Sequence, residues 1–371
     1  IEGYYFETLE GSTYFPKPSD SRINSVYRAN GSFISSELYN ISFDSFVLQK
    51  SIEMGAEKIE KNIADIEFPL NPEDKVKLFT DNRKESYEFD LVINASGVNT
   101  TFVKKLEEKG IGYKAPECLY SCQAEIPFEP GMDLKLRENV ILFLLHLKDI
   151  YFFTFTPKAQ FTTVTVVGPH IKAKMMEGIF DHPNVLKYFP EGWKVPLKYC
   201  HCHPKIPVST AKNPFYDRFV VIGDACWSRY LKDGITSAFY TSKYAVDSIF
   251  RNGITKSAFK NGYYKRIIRE DYDNKTGKIL FWFHSKLRDS KAYRESVFFM
   301  AASTKYQKVK ENTKLILWGF FTGDYPYKKI LKLCLKSSFI LFLIGKIILT
   351  KTGYIYIKIL DLFRKKREIM K

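Results

Sequence analysis

The sequence has little of three features that would place it in a class at once. Its cysteines lack the paired spacing of a small disulfide-stabilised secreted domain; they are Cys118, Cys122, Cys200, Cys202, Cys226 and Cys334 in 371 residues. No secretory signal peptide opens the chain, so a cytoplasmic location is expected. The most apolar run, residues 339–345, is too short for the roughly 20 residues of a membrane-spanning helix.

The charge balance, by contrast, is strongly basic. The chain carries 57 Lys and Arg against 41 Asp and Glu, a formal net charge of +16, which favours anionic partners. The densest basic cluster, residues 364–367, lies beside the most apolar part of the chain, so we expect an anionic membrane surface and not nucleic acid. The aromatic content of 16% suits a pocket for an apolar ligand and equally suits an ordinary large core.

A strand, a turn and a helix start follow one another in residues 219–249. Residues 219–222 are apolar and partly β-branched, as in a buried strand, and Gly223 and Asp224 follow directly. Gly234 then opens a pattern with helical spacing. Because a helix N-terminus presents unpaired N–H groups and a partial positive charge, the segment is suited to an anionic cofactor. A plain structural turn is the alternative.

Two upstream segments complete a pattern. Residues 89–94 form a second apolar strand, which ends in Ala95, Ser96 and Gly97. Residues 41–56 (ISFDSFVLQKSIEMGA) have roughly helical apolar spacing and end near a glycine. In order and type, the three segments resemble the flavoprotein group that includes para-hydroxybenzoate hydroxylase and the geranylgeranyl reductases.

The resemblance implies an FAD-dependent oxidoreductase in which the two strand ends hold the flavin. The residues it assigns to FAD are Gly223, Asp224, Ala225, Gly234, Ile235, Ala95, Ser96 and Gly97. It implies hydride delivery to a carbon–carbon double bond of an isoprenoid or other lipid-like substrate, with NAD(P)H as one candidate electron donor. The alternatives are a flavin monooxygenase that uses NAD(P)H and oxygen and, from another class, a non-catalytic membrane-associated binding protein. No catalytic residue is identified.

The sequence departs from this group at several points. A dinucleotide-binding fold normally begins with a GxGxxG fingerprint, and none occurs near the N-terminus. We therefore expect an N-terminally incomplete sequence without the first βαβ unit. Ser96 replaces a commoner Asp and Asn40 stands where an Arg is frequent, so neutral hydrogen bonds are expected there. Arg229 and Lys232 are expected either beside the flavin or on a solvated rim.

Residues 115–208 contain closely spaced β-forming runs, which predict an antiparallel sheet. Within them, residues 149–158 resemble a segment that lines the substrate cavity of geranylgeranyl reductases. Phe153 and Phe155 are therefore expected at a substrate cavity or, alternatively, in the core of the strand.

A cysteine and histidine cluster at residues 200–203 suggests metal binding at first sight. Strand alternation would place Cys200 and Cys202 on one face and His201 and His203 on the other, and no second ligand pair is apparent. No metal site is therefore expected.

The sequence beyond residue 255 is helical and basic. An aromatic and glycine-rich loop is expected at residues 318–327; it resembles a bacterial FAD-dependent oxidoreductase subgroup to which we attach no reaction. Lysines at intervals over residues 328–358, with apolar residues between them, fit a helix that lies at a membrane interface. A spanning helix and a buried core helix are the alternatives.

The expected fold is α/β, and α+β overall. A three-layer FAD-binding domain that lacks its first βαβ unit is assigned to residues 1–114 and 209–255. An antiparallel-sheet substrate domain is assigned to residues 115–208, and a helical, basic region to residues 256–371. We expect the last region to contact the inner face of the cell membrane peripherally.

Overall fold

The computed structural model describes residues 1–19, 21, 25–28, 40, 42–83, 85–158, 160–195, 201–231 and 234–369, except for the side chains of residues 82, 173, 201 and 354–369. The strands are β1 (Gly3–Thr8), β2 (Gly11–Pro16), β3 (Ile63–Glu67), β4 (Val76–Thr80), β5 (Ser86–Phe89), β6 (Val92–Asn94), β7 (Cys118–Pro127), β8 (Val140–Leu144), β9 (Phe152–Pro157), β10 (Phe161–Gly168), β11 (His201–Cys202), β12 (Lys205–Pro207), β13 (Phe215–Tyr216) and β14 (Phe219–Val221). They form three sheets.

The helices pack on and between these sheets. They are α1 (Phe43–Glu53), α2 (Phe102–Glu108), α3 (Lys135–Glu138), α4 (Ala173–Phe180), α5 (Pro183–Leu186), α6 (Gly234–Asn252), α7 (Lys256–Ala258), α8 (Lys265–Leu287), α9 (Lys291–Ala302), α10 (Gln307–Thr322), α11 (Tyr327–Cys334) and α12 (Ser337–Ile369). Short 3₁₀ turns occur at Asp81–Arg83 and Gly223–Ala225, and a π-helix at Phe259–Tyr264 leads into α8. The predicted helices near residues 43–55 and 234–249 are thus present.

The largest sheet has the order β11-β7-β10-β9-β8-β1-β2, and β12 also pairs with β7. Strands β7, β10, β9 and β8 pair in that order, each antiparallel to the next, as the sequence predicted. Strand β1, however, runs parallel to β8, so the sheet is mixed. Residues 3–16, assigned from sequence to the FAD-binding domain, form the edge hairpin of this sheet instead. Phe6 and Phe15 pack 4.4 Å apart between ring centroids in a core shared with the C-terminal helices, which explains the placement.

The large sheet has two chemically different faces. Side chains alternate along β9, so Phe153 and Phe155 enter a hydrophobic cluster that also contains Phe143 and Phe180. Thr154 and Thr156 lie on the opposite side and are only partly buried. The aromatic content of this region therefore fills a core.

A small sheet of order β13-β14-β6 is the centre of a second layered unit. One side packs against the antiparallel sheet β3-β4-β5, where Phe68 and Phe219 lie 5.0 Å apart between ring centroids. On the other side, Tyr263 of the π-helix donates a hydrogen bond to the Val221 carbonyl at 2.7 Å. This arrangement has the three layers expected. No described strand pairs with the second edge of β6.

The predicted strand at residues 88–94 is split between two sheets. β5 pairs with β4, whereas β6 pairs with β14. Arg218 donates to the backbone carbonyls of Pro72 and Asp90 at 2.6 and 3.1 Å, and this fixes the bend between the two strands. Residues 57–62 precede β3 without joining a strand.

The C-terminal region is helical, with one difference from expectation. Residues 318–322 belong to helix α10, and the chain turns only at Gly323, whose φ is 84°. Among the described residues, no single helix is long and apolar enough to cross a bilayer. Helix α11 and the first part of α12 are long and apolar enough only when taken together, over Tyr327–Cys334 and Ser337–Gly353. The chain bends by 62° between them.

Candidate active site

Two strand ends meet at one edge of the small sheet. β6 and β14 are parallel neighbours, with Val221 opposite Asn94. Just beyond them, the Ile222 N–H donates to the Asn94 carbonyl at 2.9 Å. Since parallel strands end at the same edge, the turns that follow, around Gly97 and Gly223, lie side by side. The convergence expected from the sequence is present.

Both turns need glycine for the path of the chain. Gly223 has φ 64° and Gly97 has φ 71°, a backbone conformation that residues other than glycine rarely adopt. The Gly223 N–H donates to the Thr241 hydroxyl of helix α6 at 2.8 Å. A Cβ added at Gly97 would meet no atom within 4 Å, so open space lies in front of this turn.

Asp224 is the acidic group of the site. Its Oδ1 is buried and accepts no hydrogen bond from the described residues. Burial raises the pKa of the Asp224 carboxyl, while a hydrogen bond from Ser228 and the positive charge of Arg28 oppose that rise. A Cβ added at Gly234, the first residue of α6, would lie 3.5 Å from Oδ1. The carboxylate thus lies beside the helix start with an acceptor to spare.

Three contributors to the site were missed from the sequence. The Asn94 side chain accepts from the Ser96 N–H at 3.1 Å, and its buried Nδ2 has no partner among the described residues. Thr241 anchors the Gly223 turn. Arg28 pairs with Asp44 of α1 through two hydrogen bonds of 2.9 Å and supplies a charge where only neutral contacts were expected. Asn94 could have been found in the sequence, because it is a polar residue at the end of an apolar strand. No sequence feature pointed to Arg28.

The other predicted residues occupy different positions. Ala95 and Ser96 are exposed beyond β6, and Ile235 lines the adjoining cleft. Ala225 was wrongly assigned: it is buried in the core, and its carbonyl accepts from Tyr113 at 2.7 Å.

Arg229 is not on a solvated rim: its side chain is 16% exposed and lines the adjoining cleft. Its guanidinium binds the carbonyls of Gly323 and Tyr325 and lies 3.7 Å from Asp273, which joins the loop to the helices. Lys232 lies outside the described residues, so its predicted role remains a prediction.

A cleft of about 1450 Å³ opens beside this edge. Its strand-end wall comprises Arg28, residues 99–101 after β6, and Ile235, Thr236 and Tyr240 of α6. Its sheet wall comprises residues 123–125 of β7 with Thr156, Lys158, Thr163 and Thr165. Typical small-molecule pockets occupy roughly 300–1,000 Å³, so this cleft has room for a large ligand or for two.

The sheet wall is polar. Thr163 pairs across the strands with Thr156 and Glu125, and Thr165 pairs with Thr154 and Gln123. The expectation that Phe153 and Phe155 line a substrate cavity is wrong, because strand alternation directs both rings into the core, where they are 1% and 0% exposed.

Metal ligands are not grouped in the described part of the chain. It contains no cluster of three or more His, Cys, Asp or Glu side chains suited to a metal ion. Cys202 and His203 lie at the rim of the cleft, and Cys200 is outside the described residues.

Comparison with solved structures shows that the chain has the FAD-binding fold found in several solved flavoproteins. The chain is similar to a flavoprotein/dehydrogenase from Cytophaga hutchinsonii, with a TM-score of 0.58 and 15% identity over 93% of this chain and 82% of that one. It is similar to a geranylgeranyl bacteriochlorophyll reductase-like protein from Thermoplasma acidophilum, with a TM-score of 0.56 and 14% identity over 90% and 82%.

A third similar structure is the flavin-dependent halogenase CmlS, with a TM-score of 0.58 and 14% identity; the alignment covers 90% of this chain and 64% of that one. No protein-family model and no curated protein matches the sequence. At these identities the likeness establishes the fold, which is the fold expected from the flavoprotein resemblance of the sequence motifs.

Proposed function

We propose that this chain is an FAD-dependent oxidoreductase with its flavin at the junction of β6 and β14. The observation that carries the proposal is the buried Asp224 Oδ1, which has no described hydrogen-bond partner and lies where two glycine turns and a helix start meet. The shared FAD-binding fold supports it.

The residues at this edge fit the flavin and its ribityl chain. A ribityl hydroxyl that donates to Asp224 Oδ1 would supply the missing partner and lower the pKa of the carboxyl again. Gly97 leaves open space in front of its turn, and the first N–H groups of α6 favour an electron-rich ring edge. When bound, FAD would supply hydride transfer. The chain's own residues would bind the flavin, orient it and hold it beside the cleft.

The reaction we assign to the cleft is a two-electron reduction of a bound substrate, with NAD(P)H proposed as electron donor. Reduction of a double bond in a lipid-like molecule follows from the resemblance to geranylgeranyl reductases. The polar sheet wall favours a substrate with more polar groups than an isoprenoid chain carries.

Absorbance of the protein expressed from its complete gene tests the proposal. Wild-type protein should show flavin bands. Asp224→Ala should bind FAD roughly tenfold or more weakly, since a hydrogen bond to a charged group contributes about 1.5–3 kcal/mol. Asp90→Ala, at the other end of β6, is the matched control and should keep its flavin. Colourless wild-type protein would support a non-catalytic binding protein, and unchanged flavin in Asp224→Ala would remove this carboxylate from the site.

A further inference from the structure

The sheet wall contains a lysine that the flavin site does not use. Lys158 follows β9, and its Nζ donates to the Val26 carbonyl at 2.6 Å. The ammonium group has three N–H donors, so this bond leaves others available on the cleft side. None of the ion pairs among the described residues includes Lys158.

The charges around Lys158 come from both walls of the cleft. Burial is the main cause that lowers the pKa of Lys158; Glu125 of β7 opposes it, Arg28 acts in the same direction as burial, and the resulting pKa is about 8. Arg28 also acts on the pKa of Asp224, so it lies between the sheet wall and the proposed flavin site. Glu125 offsets part of the cost of holding the Lys158 ammonium away from water, and an anion bound from the cleft would offset more of it.

The rest of the lining favours the same sign of ligand charge. Three lysines of the lining, Lys104, Lys158 and Lys205, take part in no ion pair among the described residues, whereas Arg28 and Arg229 are paired with Asp44 and Asp273. The acidic side chains of the lining are Glu125 and Asp324. One of the two acids, Asp324, already accepts from the Trp318 indole N–H at 2.8 Å. Hydroxyl groups of Thr156, Thr163 and Thr165 adjoin Lys158 on the sheet wall and can donate to a polar ligand.

We propose that the cleft binds a substrate that carries a carboxylate, which pairs with Lys158 while the threonine hydroxyls bind neighbouring polar atoms. The inference rests on the proposed function for the identity of the site as a substrate site. It assigns the substrate to the organic acids, a class that the sequence motifs did not indicate.

Matched pairs of acids and amides test the inference. Dissociation constants of benzoate, benzamide, 4-phenylbutyrate and 4-phenylbutyramide are measured by titration calorimetry at pH 7 on the flavin-loaded protein. Each acid should bind about tenfold more tightly than its amide, as one charge-assisted contact provides. Lys158→Met should abolish that preference, and Lys158→Arg should retain part of it. Lys174→Met, an exposed lysine on α4, is the control and should keep the full preference.

The outcomes separate the two proposals. Yellow wild-type protein that binds acids and amides equally, or a preference that survives in Lys158→Met, would overturn the carboxylate inference alone. Colourless wild-type protein that still prefers the acids would overturn the flavin proposal and leave the anion site standing. Flavin bands in Lys158→Met show that the variant has folded.

Discussion

The two walls of the cleft are built in different ways. The strand-end wall consists of turns, a helix start and backbone groups, with glycine at the positions of positive φ. The sheet wall consists of side chains in the middle of long strands, on the face opposite a packed aromatic core. Backbone conformation therefore determines the first wall, and side-chain identity determines the second.

This difference separates binding of a cofactor from choice of a substrate. On the strand-end wall, substitution of a glycine at positive φ changes the path of the chain, so flavin binding and folding stability should fall together. On the sheet wall, a cleft-facing residue can change while its neighbours in the core stay in place. Substitutions on the sheet wall can therefore change the substrate preference without changing the flavin site.

The largest expected effect comes from the core side of β9. Phe155→Ala should lower the free energy of unfolding by about 3–5 kcal/mol, because Phe155 is fully buried between Phe143, Phe180 and Phe189. The adjacent change Thr156→Ala should cost about 0.5 kcal/mol or less, because its side chain faces the cleft. Urea denaturation of both variants checks the contrast. Equal losses would show that the two faces are not distinct.

The next effect concerns backbone conformation on the strand-end wall. Gly223→Ala should lower the free energy of unfolding by about 1–2 kcal/mol and weaken FAD binding, since its φ of 64° is left-handed. Gly178→Ala in helix α4 is the control, because an added Cβ there has open space and its φ is not positive. Alanine should stabilise that helix by roughly 0.5–1 kcal/mol. Equal behaviour of the two variants in denaturation and flavin absorbance would contradict the distinction.

A smaller effect is the pH dependence of acid binding on the sheet wall. The pKa of Lys158 is lowered to about 8, so its ammonium is charged below that pH and neutral above it. The affinity for benzoate should be nearly constant near pH 7 and fall above pH 8 by about tenfold in total, which is the preference assigned to the charged contact. Arg28, the other cation near Lys158, keeps its charge across this range, because its hydrogen bonds with Asp44 raise its pKa. Titration calorimetry from pH 6.5 to 9.5 measures the profile, and a flat profile would argue against this lysine.

The sequence predicted the backbone path of the strand-end wall, but not the polar side chains of that wall and not the sheet wall. The apolar run before Gly223 and the helical spacing after Gly234 are local patterns, and parallel strand ends necessarily meet. The hairpin β1–β2 was misplaced because its partner β8 is distant in sequence. Lys158 and Arg28 belong to no motif, and only the folded chain brings them together. Phe153 and Phe155 occupy the strand core, one of the two placements expected for them, and the alternation along β9 that favours it was visible in the sequence.

The smallest expected effect concerns the membrane contact predicted for the C-terminal helices, which form neither wall of the comparison above. Leu341 and Leu349 of α12 are 69% and 68% exposed, whereas Lys346 turns inward over the Phe299 ring at 3.8 Å. The apolar side chains, more than this lysine, are therefore available to a lipid surface. Leu341→Glu with Leu349→Glu should reduce flotation of the full chain with anionic liposomes several-fold and leave flavin absorbance unchanged. Exposed Leu134→Glu, on the large-sheet side, should leave flotation unchanged. Undiminished flotation of the double variant would exclude this face of α12 as the contact.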